Sequence, residues 1–92
     1  MTNRDYQYIE ESLLRLLVLL SVVFTDAERS EVQEFIDVGE YGLALETLVD
    51  IVVEEDKQIP SKVLMLVDEL SDVMELDKAV FEEKLRGHVI DS

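Results

Sequence analysis

Twenty-two carboxylates, one imidazole and no thiol are the groups that could do chemistry in this chain. The absence of cysteine excludes disulfides, zinc–thiolate centres and thiol catalysis. The lone histidine, His88, follows Gly87 near the end of the sequence and reads as a solvated tail residue. With one histidine and no cysteine, Ser–His and Cys–His nucleophilic arrangements have no framework to hold them. Paired carboxylates do acid–base work only when a cleft drives their pKa values apart, and nothing in the pattern promises one. Glu54-Glu55-Asp56 lacks the alternating ligands, central glycine and closing glutamate of a calcium loop. There is no glycine-rich loop to cradle phosphate. The chain is therefore expected to be no enzyme, to hold no metal or cofactor and to act on no small molecule.

What remains is the placement of the acids. A helix favours cations at its C-terminal end and anions at its N-terminal end, by about 0.3–1 kcal/mol each. Asp50, Glu54, Glu55 and Asp56 crowd the end of an apolar helical segment, and Asp72 and Glu75 crowd the end of the next, which has Lys62 in its first turn. Glu46, Asp50 and Glu54 recur every four residues and share one stripe; Asp68, Asp72 and Glu75 make a similar row. Like charges so spaced repel by a few tenths of a kcal/mol per pair. Two such rows on adjacent helices would form one exposed acidic ridge. Its natural counterpart is a basic active-site groove, such as that of a nuclease, met through charge complementarity that sets association rate and partner choice.

The overall balance agrees. Eight Lys+Arg against 22 Asp+Glu leave a net charge of −14, which excludes nucleic acid held on a basic surface and disfavours anionic membranes. Apolar residues make up 48% of the 92 positions, enough for one core in a single domain and too many for a disordered acidic chain. The most hydrophobic stretch, 13–24, is too short to span a bilayer and is interrupted by Arg15. Asp5, Glu10 and Glu11 spoil a secretory signal, so a cytoplasmic location is expected.

Those acids must be positioned by helices. Strand-like alternation is absent, and three- and four-residue spacing recurs throughout, predicting an all-α bundle of five helices at about 4–23, 26–38, 41–55, 60–75 and 77–86, with no sheet. Thr25 and Glu28 have the spacing of a capping box, Gly39 suits a left-handed terminator, and Asp77 can cap the last helix before Gly87 stops it. Pro60 marks a helix start. The expected core is Ile9, Leu13, Leu17, Leu20, Phe35, Leu45, Leu48, Ile51, Leu66, Leu70 and Phe81, with a frayed tail over 88–92.

The run Gly39-Glu40-Tyr41-Gly42-Leu43-Ala44-Leu45-Glu46-Thr47-Leu48, with Ile59-Pro60 and a leucine-rich segment downstream, resembles the MafI family of immunity proteins. That group is akin to the CdiI-type immunity proteins of contact-dependent growth inhibition. The likeness covers about half the chain, 32–76, and is most specific in the glycine-bearing run. It implies a small helical protein of a bacterial cytoplasm that binds, one to one, the C-terminal domain of a polymorphic toxin, often a nuclease. It also implies that Gly42 permits close helix approach, and that Glu40 and Tyr41 structure the turn or touch the toxin. The acidic ridge (Glu46, Asp50, Glu54, Glu55, Asp56, Asp68, Asp72 and Glu75) is the expected toxin-binding surface. The alternative is a helical homodimer or adaptor that uses the apolar stretch 13–24.

Overall fold

The computed structural model describes residues 3–90. Its elements in chain order are α1 (Asn3–Leu19), α2 (Asp26–Asp37), α3 (Tyr41–Glu54), β1 (Ile59–Pro60), α4 (Ser61–Val73), α5 (Lys78–Leu85), a 3-10 turn (Arg86–His88) and β2 (Val89–Ile90). The all-α reading holds, and the radius of gyration, 12.2 Å, is that of a close-packed chain of this length. Among the described residues no helix is long and apolar enough to cross a membrane.

One core holds the five helices together. Leu13, Leu16 and Leu20 from α1 and its exit turn meet Val32 and Ile36 of α2, Leu45, Leu48 and Val52 of α3, Val67 and Leu70 of α4, and Leu85 of α5. Ten of the eleven expected core residues are buried; Phe35 is only partly so, because its neighbours Val32 and Ile36 take the inward face. The hydrophobicity of 13–24 is thus largely consumed inside this chain: Leu13, Leu16, Leu17, Leu20 and Phe24 are all buried.

α1 stops four residues short of the expected 23. The Ser21 hydroxyl donates to the Val18 carbonyl (2.7 Å), while the Ser21 amide reaches back only three residues to the same oxygen. Such local side-chain bonds compete with helix continuation. Thr25 then opens α2 as expected. Its amide donates to Glu28 Oε1 (2.8 Å), and the Glu28 amide donates to Thr25 Oγ1 (3.1 Å). The Thr25 amide, with Lys57 Nζ at 3.0 Å, holds the Glu28 carboxyl below its ordinary range and so fastens the start of α2 to the loop after α3. Gly39 ends α2 at φ 77°, with the paired bonds of a Schellman turn from Glu40 N to Phe35 O and Gly39 N to Ile36 O.

Three expectations fail at the far end of the chain and at Gly42. The strand-free reading is corrected by a short parallel pairing of Ile59 with Val89 and Pro60 with Ile90. Nor is the tail frayed through to 90. His88 is partly buried, its Nδ1–H donating to the Lys57 carbonyl (3.0 Å) beside Asp56, and Val89 packs on the core; positions 91 and 92 lie outside the described residues. α5 does end just before Gly87, at Leu85, and tightens into the 3-10 turn that aims β2 at the extended backbone before α4. Gly42 permits no close approach, since a Cβ there would meet nothing within 4 Å.

Candidate functional site

Seven of the eight acids sit at three places. Glu46, Asp50 and Glu54 line one exposed face of α3, as their spacing requires. Glu55 and Asp56 follow in its terminal turn, and Asp72 and Glu75 are exposed at the end of α4. Neither α3 nor α4 has a basic residue in its last turn, so no cation of its own helix offsets these charges against the helix dipole.

The single ridge is corrected to two edges. α5 packs against both α3 and α4, which make little direct contact with each other. From α5 and its start, Lys84 Nζ reaches Asp50 Oδ1 (3.7 Å) and Lys78 Nζ reaches Asp72 Oδ2 (3.3 Å). One acid of each row is therefore partly neutralised, and the helix between them separates the rows. Glu46, Asp50 and Lys84 border a shallow groove of about 220 Å³ floored by Leu76, Val80 and Phe81, with Asp77 at its rim. Sequence reasoning missed this groove. Asp77 shows only a cap signal (its carboxylate accepts from the Ala79 amide, 3.1 Å), and its convergence on α3 is a tertiary fact.

Asp68 leaves the ridge altogether. It is half-buried against α5, where burial and then the facing Glu82 carboxyl push its pKa above the ordinary 3.8. Oδ1 is shut from solvent with no hydrogen-bond partner. A folded-state pKa above the unfolded one means that the protonated pair contributes stability below pH ~3.8, and that this is lost as pH rises through the folded value. Asp68→Asn, which keeps a donor for Glu82 at every pH, should therefore stabilise the fold at pH 7 and give no gain at pH 3.5. Urea unfolding at both pH values measures the difference; equal effects at the two would show that Asp68 holds no extra proton.

The backbone adds an observation that charge patterning could not supply. Asp56 and Glu75 both have positive φ, 49° and 57°. Each closes its helix in the same double-bonded way: Lys57 N to Val52 O (2.9 Å) after α3, and Leu76 N to Ser71 O (2.8 Å) after α4. Glycine is the usual occupant of that position, and a side chain there costs about 1–2 kcal/mol. Both helices end on an acid that is wrong for the dipole and wrong for the backbone.

Glu40 precedes α3 without capping it by its side chain and is exposed. Tyr41 has a structural role. Its hydroxyl donates to Glu10 Oε1 (3.0 Å), its ring lies 6.3 Å from that of Tyr6, and the Glu10 bond is the first cause of its raised pKa. The start of α3 is thereby tied to α1. Among the described residues no group of three or more His, Asp or Glu side chains is placed to hold a metal ion. No family model, no curated protein and no solved structure matches this chain.

Proposed function

We propose that this chain is an immunity protein: a cytoplasmic inhibitor that binds, one to one, the basic C-terminal domain of a polymorphic toxin, a nuclease, and blocks it without catalysis of its own. The observation that carries the reading is the double violation at Asp56 and Glu75, where carboxylates occupy left-handed helix ends that favour glycine and positive charge. Sequences that break local rules at a cost in stability tend to do so at functional positions. The net charge of −14 and the resemblance over 39–48 support the same reading. Acids held at helix ends and along α3 would face the lysines and arginines of a phosphate-binding groove, with no nucleic acid or membrane involved.

The direct experiment is co-expression with a basic C-terminal domain encoded by the reading frame immediately upstream. A 1:1 complex by native mass spectrometry, with cells protected from the domain's toxicity, is the expected result; neither complex nor protection would end the proposal. A second measurement separates function from folding. Asp56→Gly and Glu75→Gly should each raise stability by about 1 kcal/mol by relieving the left-handed side chain. If the acids serve a partner, the double variant should bind that domain more weakly although it is more stable. A gain in stability with affinity unchanged would reduce both acids to structural accidents.

A further inference from the structure

We propose that the groove between α3 and α5 seats one arginine side chain of the partner, and that Lys84 is an internal cation which this arginine displaces from the carboxylates there. The proposal rests on the reading of the chain as an inhibitor of a basic domain, and names the group on that domain that the groove takes. At the start of α5 and along it, Asp77, Val80, Phe81 and Lys84 fall at steps of three and four residues and share one face. Glu46 and Asp50, one turn apart on α3, stand across from it. The space between them, about 220 Å³, has room for one long side chain. It is too small for a helix, which is about 10–12 Å across.

Floor and walls ask for different parts of one side chain. Phe81 closes the bottom, and Val80 is 44% exposed, an apolar bed for the methylene stem of a long cation. The walls carry three carboxylates against one ammonium, 1 − 3 = −2. Glu46 is exposed and, among the described residues, has no hydrogen bond or ion pair. Asp77 engages only Oδ1, on the Ala79 amide. Lys84 Nζ reaches Asp50 alone, at 3.7 Å, with the two side chains 46% and 55% exposed, and a pair so long and so wet holds little. A cation thus already rests among these acids and leaves two of the three unmatched. A guanidinium is planar, weakly hydrated and carries five N–H donors, so it can serve both walls at once where the ammonium serves one. An apolar side chain in the same place would cover the carboxylates without pairing them. A second copy of this chain would bring another −14 to the face.

Two comparisons, each between variants of equal net charge, test the partner's use of the groove, read as affinity for the basic C-terminal domain encoded immediately upstream. Lys84→Gln should tighten binding about threefold, and more than Lys78→Gln, which removes the same charge beside Asp72 on the other edge. Glu46→Gln should weaken binding about tenfold, and more than Glu54→Gln, which lies on the same face of α3 outside the groove. Equal effects within either pair would mean that the domain senses only the field of the whole chain. Weaker binding by Lys84→Gln would make Lys84 a contact of the partner. Each result overturns the groove and leaves the inhibitor reading standing. Circular dichroism checks the helices, and Lys84→Met repeats the comparison should Lys84→Gln lose them. A probe that needs no toxin separates the two claims: N-acetyl-arginine N-methylamide titrated into the full chain, followed through backbone amide shifts. Shifts concentrated at Glu46, Val80, Phe81 and Lys84, and lost when citrulline replaces arginine, are expected. Shifts that are absent there, spread over the acidic surface, or equal with citrulline overturn the proposal even where the domain binds. If the domain does not bind at all, the inhibitor reading falls and this titration alone decides the groove. A dimer in native mass spectrometry that Glu46→Gln breaks would give the groove to a second copy instead.

Discussion

Reversing Asp50 and Glu54 together to lysine should abolish tight binding to the basic toxin domain proposed as the partner while leaving the fold intact. Both side chains are exposed on α3, one turn apart, and the bridge from Lys84 to Asp50 is long and solvated, so little folding energy is at stake. At an interface the balance changes. A charge pair at the rim contributes little, whereas a buried pair that loses one member costs about 2–5 kcal/mol, roughly a 30-fold to several-thousand-fold loss of affinity. Reversal adds repulsion to that loss. Asp72→Lys should have a smaller effect, because Asp72 is already partly matched by Lys78 and stands across α5 from the α3 row. Asp68 is unsuitable for reversal, since a lysine there would be half-buried beside a carboxyl pair and would test folding. Association should slow as salt rises, because exposed charges are screened over about 8 Å at physiological ionic strength. Calorimetry or surface plasmon resonance with the toxin domain, alongside a growth-protection assay, reads both effects. Full affinity and protection in the Asp50/Glu54 double reversal, with native helicity, would refute the acidic-edge mechanism.

The helices were legible because each is marked by periodicity and most by a start or stop signal at one end. The Thr25–Glu28 box, Gly39, Pro60 and Asp77 are chemical signals read from single positions, and all act where their chemistry predicts. The helix ends at Asp56 and Glu75 carry no such signal. There the chain turns left-handed on residues that do not favour it, so the boundaries are tertiary decisions. The β1–β2 pairing was invisible for a related reason. Two residues are too few to alternate, and the pairing exists because Ile59 is fully buried and the 3-10 turn carries Val89 back beside it. For the candidate site, spacing along α3 correctly gave a shared face for Glu46, Asp50 and Glu54. What spacing could not give is the position of α5. That helix splits the rows, supplies Lys78 and Lys84, and draws Asp68 inward to Glu82.

Leu48→Ala should be the most damaging single truncation in α3. Leu48 is fully buried at the middle of the helix that packs against α1, α2 and α5, so no loop can move in to fill the space. Removing its side chain loses the transfer free energy of the deleted atoms and leaves a cavity, together about 2–5 kcal/mol. A domain of this size has about 5–14 kcal/mol in total, so the variant should be near the edge of stability at 25 °C. Leu43→Ala is the matched control. It lies in the same helix, undergoes the same change in helix propensity, and is 45% exposed, so its effect should stay within about 0.5 kcal/mol. The difference between the two isolates burial from propensity. Urea unfolding followed by circular dichroism measures it, provided the slope with denaturant is the same for both variants. Equal losses would mean that α3 does not present Leu48 to the core. The face carrying Glu46, Asp50 and Glu54 would then be rotated away from where the binding argument needs it, because the inward and outward rows of one helix are fixed to each other by the 3.6-residue turn.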